Sequence, residues 1–238
     1  MKIALIGYGK MGKAIEEIAL QKGHEVVLKI DVTNADELTP KNLQQADVAI
    51  EFTGPHTAVQ NIFTCFEAGI PLVCGSTGWL EKLDDVKRKA VEKNAGFLYA
   101  SNFSIGVNIF FEVNKKLAQL MSRQDSYEIK TTEIHHTEKK DAPSGTSITL
   151  AEQILENIPR KKHWVNRESV ESDDLTIISK RIDPAPGTHI IKYFSDIDEI
   201  EIIHTAHNRK GFAAGAVQAA EFMNGKTGLY SMKDVLGL

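Results

Sequence analysis

The clearest indication of how this chain folds is K-I-A-L-I-G-Y-G-K-M-G, residues 2–12 of 238. Residues 3–6 predict an apolar strand, Gly7 to Gly12 follow the pattern G-x-G-x-x-G, and residues 13–22 have the spacing of an amphipathic helix. The first glycine permits a tight turn, Gly9 lets the backbone approach a pyrophosphate, and the third allows close helix packing. We therefore predict a dinucleotide-binding turn, with an ordinary strand-to-helix turn as the alternative.

Strand and helix patterns continue to alternate beyond this turn. Helices are predicted at residues 59–68 and 80–93, and strands at residues 25–30, 47–52, 71–74 and 96–100. This alternation is typical of a parallel sheet with helices on its faces. We expect an α/β fold whose N-terminal part is a Rossmann dinucleotide-binding domain.

The pattern changes near Phe103. Strands that alternate apolar and polar residues are predicted at residues 126–134, 177–181, 188–194 and 199–204, with one helix at residues 148–157. Such strands favour an open mixed or antiparallel sheet, so the second domain is expected to be α+β. An alanine-rich segment at residues 211–223 predicts a closing helix.

The overall composition excludes several classes of protein. With 42% hydrophobic and 25% charged residues and a net charge of -4, the chain is globular and lacks the basic balance of a nucleic-acid-binding domain. No apolar stretch reaches the roughly 18 residues of a membrane span, and no signal peptide is recognised. We expect a soluble cytoplasmic protein without nucleic-acid or membrane partners, in which Cys65 and Cys74 are buried and reduced.

Asp31 indicates the kind of dinucleotide. It ends the second predicted strand, about twenty residues past the glycines, where an acid binds the ribose hydroxyls of NAD. No arginine follows it immediately, so NADH is favoured as cofactor, while Lys29 and nearby lysines leave NADPH open. The loops T-G-P (residues 53–55) and G-S-T-G (residues 75–78) follow two other strands and could line the nicotinamide half of the cleft.

The run H-H-T-E-K-K-D-A-P-S-G-T, residues 135–146, suits an anionic substrate. Gly145 and Thr146 begin a predicted helix, whose N-H groups and dipole attract a carboxylate. Hydride addition to an unsaturated substrate also needs a proton donor, for which His135, His136 and Lys139 are the candidates. A solvated charged loop is the alternative interpretation.

The histidines of this run are not expected to bind a metal. Neighbours on a strand point to opposite faces, so His135 and His136 should not share one role. They lack the i, i+4 spacing of a metal pair, and no cysteine is near. Four further histidines are expected to be surface or packing residues: His163, His189, His204 and His207.

Taken together, these motifs resemble the dihydrodipicolinate reductase family, also called 4-hydroxy-tetrahydrodipicolinate reductases. The resemblance covers nearly the whole chain. Besides the glycine turn it rests on E-F-T-G-P (residues 51–55), G-S-T-G-W (75–79), A-S-N-F-S-I-G-V-N (100–108), E-I-H-H-T-E-K-K-D-A-P-S-G-T (133–146) and R-K-G-F-A-A-G-A (209–216).

The resemblance implies a fold and an activity. Residues 1–103 and 212–238 would form the dinucleotide-binding domain, and residues 104–211 a substrate-binding domain whose mixed sheet builds a homotetramer. The implied reaction is NAD(P)H-dependent reduction of 4-hydroxy-tetrahydrodipicolinate to tetrahydrodipicolinate with loss of water, in the diaminopimelate route to lysine. Rival hypotheses are another Rossmann dehydrogenase acting on a small acid, such as an aspartate or homoserine derivative, and a regulatory module that binds NAD(H) without turnover.

The resemblance also implies site residues. The active-site histidine, a proton donor or charge stabiliser, falls on His135 and the lysine proton donor on Lys139. Substrate binding falls on His136, Gly145 and Thr146, and no metal is implied. The cofactor contacts fall on Gly7, Tyr8, Gly9, Lys10, Met11, Gly12, Asp31, Gly75, Ser76, Thr77, Ala100, Ser101, Asn102 and Phe103. No role is implied for residues 183–188.

Overall fold

The computed structural model describes residues 1–208 and 210–238, and the chain divides into two compact units. Met1–Ile105 and Lys210–Leu238 form the first unit, and Gly106–Arg209 forms the second. Arg209, the first residue of the R-K-G-F-A-A-G-A motif, lies outside the described residues.

The strands and helices follow in chain order. The strands are β1 (Lys2–Ile6), β2 (Glu25–Ile30), β3 (Val48–Glu51), β4 (Leu72–Cys74), β5 (Gly96–Tyr99), β6 (Glu128–His135), β7 (His163–Val165), β8 (Asp174–Arg181), β9 (Gly187–Phe194), β10 (Glu199–Ala206) and β11 (Gly228–Tyr230). The helices are α1 (Lys10–Gln21), α2 (Pro40–Leu43), α3 (Ala58–Ala68), α4 (Leu83–Glu92), α5 (Ile105–Met121), α6 (Gly145–Asn157), α7 (Lys210–Met223) and α8 (Met232–Leu236).

The first unit is built on a six-stranded sheet in the order β11-β5-β4-β3-β1-β2, and all neighbouring strands run parallel. Both of its faces are covered, which explains the continuous apolar strands. On β3, Val48 and Ile50 pack into the cluster shared with α1 and α7, whereas Ala49 packs into the cluster with α3 and α4. The predicted Rossmann sheet is confirmed.

Helix α1 begins earlier than predicted, at Lys10 instead of residue 13. The glycine turn is therefore shorter than the pattern suggests, because Gly12 already lies in the first turn of the helix. A Cβ at Gly12 would lie 2.3 Å from the carbonyl oxygen of Gly7, so only glycine lets the helix start this close to the strand.

The second unit has a five-stranded sheet in the order β10-β9-β6-β8-β7. The β10-β9 and β9-β6 pairs are antiparallel, whereas β6-β8 and β8-β7 are parallel, which confirms a mixed sheet. Residues alternate between buried and half-buried along β6. Its buried side packs with α5 and α6 in a core that includes Leu150, Ile154 and Ile177.

Helix α5 is absent from the sequence-based prediction, which places one helix among the strands of this half. The structure corrects this: α5 buries Val107, Phe110, Asn114, Ala118 and Met121, which recur every three or four residues. A polar residue within that stripe, Asn114, weakens the apolar pattern. Its side-chain nitrogen donates hydrogen bonds to the backbone oxygen of Leu150 and to the side chain of Gln153, contacts that only the folded unit supplies.

Cys65 and Cys74 are both buried free thiols, as expected. Among the described residues, no helix combines the length and apolar character needed to cross a membrane.

Candidate active site

The glycine turn of the first unit has the geometry of an anion site. A Cβ at Gly7, where φ is 97°, would lie 2.1 Å from the carbonyl oxygen of Phe52, so no other residue fits there. Gly9 precedes α1 as its N-cap. Among the described residues no side chain caps the helix, and apart from the adjoining backbone no atom lies within 4 Å of a Cβ at Gly9. An open, uncapped helix N-terminus fits a pyrophosphate through its N-H groups and positive dipole end.

A cavity of about 380 Å³ lies beside this turn, and its wall includes Gly7, Gly9 and Asp31. Asp31 is exposed at the end of β2, and its Oδ1 accepts a hydrogen bond from the Val32 backbone at 2.8 Å. The structure thus brings the acid and two of the glycines to one cavity, an arrangement that fits an adenosine ribose and its phosphates.

Tyr8 takes part in a separate cluster. Its hydroxyl donates a hydrogen bond to Glu16, whose other oxygen lies 3.0 Å from Nζ of Lys29, and these two contacts lower the pKa of the Glu16 carboxyl. Tyr8, Lys10 and Met11 are not among the residues that line the cavity. The cofactor contacts predicted for them are therefore not part of the cavity geometry.

The loops after β3 and β4 are joined to each other. The backbone N-H of Thr53 donates to Oγ of Ser76 at 2.8 Å, and Nε1 of the buried Trp79 donates to the Ser76 carbonyl at 2.7 Å. A Cβ at Gly75 would lie 2.2 Å from the Phe52 ring. The E-F-T-G-P and G-S-T-G-W motifs thus form one packed edge at the carboxyl ends of two parallel strands. Thr77 is exposed on this edge.

The segment after β5 packs against α7. Phe103 is buried with its ring centroid 5.5 Å from that of Phe52, and a Cβ at Gly215 would lie 1.7 Å from the Phe103 carbonyl oxygen. The side chain of Asn102 accepts a hydrogen bond from the Ser104 backbone at 2.9 Å. This close approach explains why the A-A-G-A part of the last motif has a glycine, Gly215. Within this segment Ala100 is buried and Ser101 is exposed.

In the second unit, His135 ends β6 as a buried side chain. Its Nδ1 lies 3.3 Å from Oε2 of Glu133, and its ring centroid lies 5.2 Å from that of His189. His189 is also buried, its Nε2 is 3.3 Å from Oγ of Ser144, and burial together with the neighbouring His135 lowers its pKa to about 3. His189, which the sequence suggests is an ordinary surface or packing residue, therefore belongs to the His135 environment.

The loop beyond β6 presents Lys139 and His136 differently. Nζ of Lys139 lies 2.7 Å from Oδ1 of Asp141, an ion pair that positions the ammonium group, whereas Lys140 is exposed. His136 is half-buried and lines a second cavity of about 470 Å³, together with Asp183 and others. His135 and His136 thus lie in different surroundings.

Helix α6 begins directly after this loop. Gly145 and Thr146 are its first two residues, and the N-cap Ser144 accepts a hydrogen bond from the backbone of Ser147 at 3.2 Å. Apart from the adjoining backbone, no atom of the described residues lies within 4 Å of a Cβ at Gly145, so there is open space beside this glycine at the helix N-terminus. This is a suitable place for a carboxylate.

Within the described part of the chain, one group has the spacing of a metal site. Ligand atoms of Glu133, His135 and His189 lie within 4.8 Å of one another. However, Glu133 accepts hydrogen bonds from the backbone of Ser144 and lies beside the Arg181 guanidinium, at 3.3 Å. A carboxylate already bound by donors, with a positive charge beside it, disfavours a cation.

The sequence alone predicts no role in the site for Glu133, His189 or Arg181. The first could have been found, because residues two apart on an alternating strand share a face and Glu133 precedes His135 by two. His189 reaches His135 from β9, and Arg181 reaches Glu133 from β8. Pairing between strands distant in sequence leaves no local signal, so these two could not have been found.

The first unit combines a parallel Rossmann sheet with an open glycine turn and an acid after β2. The second unit of the same chain carries a histidine, a lysine and a helix N-terminus. Together these features define a pyridine-nucleotide-dependent oxidoreductase. Residues 1–103 match the family model described as dihydrodipicolinate reductase, N-terminus, and residues 106–236 match that described as dihydrodipicolinate reductase, C-terminus. The chain belongs to the dihydrodipicolinate reductase family.

Curated relatives carry a corresponding name. The chain is 48% identical to a 4-hydroxy-tetrahydrodipicolinate reductase of Christiangramia forsetii, over 99% of this chain and 98% of that protein. It is 35% identical to a protein of the same name from Neisseria gonorrhoeae, over 94% of this chain and 84% of that protein. The fold is similar to that of dipicolinate-bound dihydrodipicolinate reductase from Paenisporosarcina sp. TG-14, with a TM-score of 0.76, 23% identity and 97% of both chains covered.

Proposed function

We propose that this chain reduces 4-hydroxy-tetrahydrodipicolinate to tetrahydrodipicolinate with NADH or NADPH and loss of water, in the diaminopimelate route of lysine biosynthesis. One observation carries the proposal. A single segment places a buried histidine, an ion-paired lysine and an open helix N-terminus within residues 135–146, in a chain whose other unit is a Rossmann fold. The names of the curated relatives support the same reaction.

Dinucleotide binding is assigned to residues 1–103 and 212–238. When bound, the nicotinamide supplies the hydride. The backbone of Gly7, Gly9 and Gly12 with the start of α1 would bind the pyrophosphate, because this helix end is open and uncapped. Asp31 would accept hydrogen bonds from the ribose hydroxyls, and its negative charge would repel a 2'-phosphate, so NADH is preferred over NADPH. Further contacts are assigned to Tyr8, Lys10, Met11, Gly75, Ser76, Thr77, Ala100, Ser101, Asn102 and Phe103.

Substrate binding and oligomerisation are assigned to residues 104–211. The N-H groups of Gly145 and Thr146 would hold one carboxylate of the dicarboxylate, with His136 as a further contact. The dipole of α6 favours negative charge at this end. The dipicolinate named with the Paenisporosarcina protein is a dicarboxylate of the same class.

Lys139 and His135 are assigned to proton transfer. Hydride addition leaves negative charge on an adjacent ring atom, which a proton must neutralise. Lys139 carries a charged ammonium group paired with Asp141 at the loop, so it is the proposed donor. His135, held beside Glu133, would stabilise the developing charge or share the proton.

A coupled assay tests the reaction. The unstable substrate is generated from pyruvate and aspartate semialdehyde, and loss of NADH or NADPH absorbance is followed. Oxidation that needs both precursors and this protein is expected, faster with NADH. A folded sample that oxidises neither nucleotide under these conditions would contradict the proposal and favour a dehydrogenase for another small acid.

A homotetramer in the cytoplasm completes the proposal. Strand β10 is at the edge of the second sheet, and it and its hairpin carry exposed apolar side chains: Phe194, Ile197, Ile200 and Ile203. In the β9-β10 register Phe194 and Ile203 lie on the face of the sheet opposite the core, where apolar side chains favour coverage by a protein partner. Light scattering after gel filtration should give four times the chain mass.

A further inference from the structure

Glu133 is a completely buried carboxylate in the second unit, and the roles proposed above do not explain it. Its two oxygens lie 3.2 and 3.0 Å from the backbone N-H of Ser144, which donates to them, and Oγ of Ser147 donates to Oε2 at 2.9 Å. Ser144 is the N-cap of α6, so Glu133 holds the start of the helix whose N-H groups are assigned to a substrate carboxylate.

Arg181 approaches the same carboxylate from the neighbouring strand. It lies opposite His135 in the β6-β8 register, with Nη1 and Nη2 3.4 and 3.3 Å from Oε1 of Glu133. The same guanidinium donates to the backbone oxygens of Lys139 at 3.2 Å and Asp141 at 2.6 Å. One planar group thus connects Glu133 to the backbone on both sides of the Lys139–Asp141 ion pair.

His135 makes the third connection. With Nδ1 3.3 Å from Glu133 Oε2, the carboxylate favours a proton on Nδ1, so Nε2 is the nitrogen that would exchange a proton with the substrate. The contact has ion-pair distance without the alignment of a formed hydrogen bond, and such contacts often tighten when substrate binds. On the other side of the ring, a Cβ at Gly187 would lie 3.1 Å from Nε2, so glycine leaves that nitrogen its space.

The charge of Glu133 persists despite its burial. Burial raises the pKa of its carboxyl, but the contacts from His135, Ser144 and other donors outweigh this and hold that pKa well below its usual range. Buried ion pairs are poor sources of stability, because desolvation offsets most of the attraction. A buried carboxylate with so many donors is therefore better explained by what it positions.

We propose that Glu133 and Arg181 are positioning residues of this site. Together they hold His135, the Lys139 loop and the N-terminus of α6 in one arrangement, as a group we call the Glu133 cluster (Glu133, His135, Ser144, Ser147 and Arg181). Neither residue is proposed to exchange a proton with substrate. The inference rests on the proposed function, which supplies the roles of the groups that are positioned.

The test compares the variants Glu133→Gln and Arg181→Gln with the control Glu152→Gln, an exposed residue on α6. For Glu133→Gln, kcat should fall about 100-fold and KM for the dicarboxylate should rise, because proton transfer and carboxylate binding both depend on the cluster. The affinity for NADH should stay unchanged, since the nucleotide is assigned to the other unit. Glu152→Gln should behave as wild type.

A spectroscopic measurement separates positioning from simple instability. Nitrogen-15 NMR of labelled histidine reports which ring nitrogen carries the proton, and the His135 signal is assigned by its loss in His135→Asn. Wild type should show the Nδ1-protonated form, and Glu133→Gln a mixture. Loss of active protein alone would lower the apparent kcat without changing KM or the His135 tautomer. That result would overturn the inference.

Two further outcomes are decisive. If Glu133→Gln does not fold, Arg181→Gln still tests the inference, because it leaves the hydrogen bonds from Ser144 and Ser147 to Glu133 in place. We expect kcat of Arg181→Gln to fall at least about tenfold. Wild-type kinetics for this variant would overturn the inference. If the wild-type protein does not reduce the dicarboxylate, the proposed function fails, but the tautomer comparison still decides whether Glu133 orients His135.

Discussion

Replacing Gly215 with alanine should destabilise the first unit, although alanine favours a helix. A Cβ at this position would lie 1.7 Å from the carbonyl oxygen of Phe103, whereas ordinary contact begins at 3.4 Å. The obstacle is a backbone atom, so no rotamer change relieves it, and α7 must move away from the segment after β5. Overpacking of this kind costs about 1–3 kcal/mol, and the severity of the clash places it at the upper end. The gain of about 1 kcal/mol in helix propensity does not offset it.

The assay is urea unfolding followed by the fluorescence of Trp79, which is buried in the first unit, in a Trp164→Phe background. The matched control is Gly211→Ala on the same helix, where the nearest atom to a Cβ is Oγ of Ser104 at 3.9 Å. The control should be as stable as the parent or more so. Gly215→Ala should unfold at lower urea with an unchanged slope and bind NADH more weakly. Equal stability of the two alanine variants would refute the steric argument.

Three further predictions concern single side chains. Lys139→Ala should lower kcat by about 10²- to 10⁴-fold with nearly unchanged NADH affinity, while Lys140→Ala should keep wild-type rates; the reverse pattern would assign the proton to the neighbouring lysine. Asp31→Asn should weaken NADH binding by about tenfold or more and improve the preference for NADPH, as measured by kcat/KM with each nucleotide; an unchanged ratio would remove Asp31 from cofactor choice. Because burial lowers the pKa of His189 to about 3, unfolding takes up a proton between that value and about 6.5, so stability should fall as pH drops through this window. His189→Gln should flatten that dependence in urea titrations at several pH values, and the exposed His207→Gln should not.

The first unit was predictable because its signals are local. The apolar run before Gly7, the G-x-G-x-x-G spacing and the alternation of strands and helices all lie within short windows, and the parallel sheet followed from them. The start of α1 at Lys10 was not predictable, because a pattern of glycines does not reveal that Gly12 already lies in the helix and packs against the carbonyl of Gly7.

The second unit was only partly predictable. Its strands were recognised by alternation, but α5 was missed because Asn114 interrupts the apolar stripe and finds its partners 36 and 39 residues away. The motif at residues 135–146 predicted the candidate site, while Arg181 and His189 approach it through strand pairing that no short window contains. Local patterns therefore predict which segment is the candidate site, and tertiary structure is needed to see which side chains surround it.

The most direct test of the proposed activity is transfer of label from nucleotide to product. NADH carrying deuterium at both C4 positions is incubated with this protein and the substrate formed from pyruvate and aspartate semialdehyde, and the product is analysed by mass spectrometry. The account predicts tetrahydrodipicolinate containing one deuterium, formed at a much lower rate by Lys139→Ala. Product without deuterium, or oxidation of NADH without this product, would contradict it.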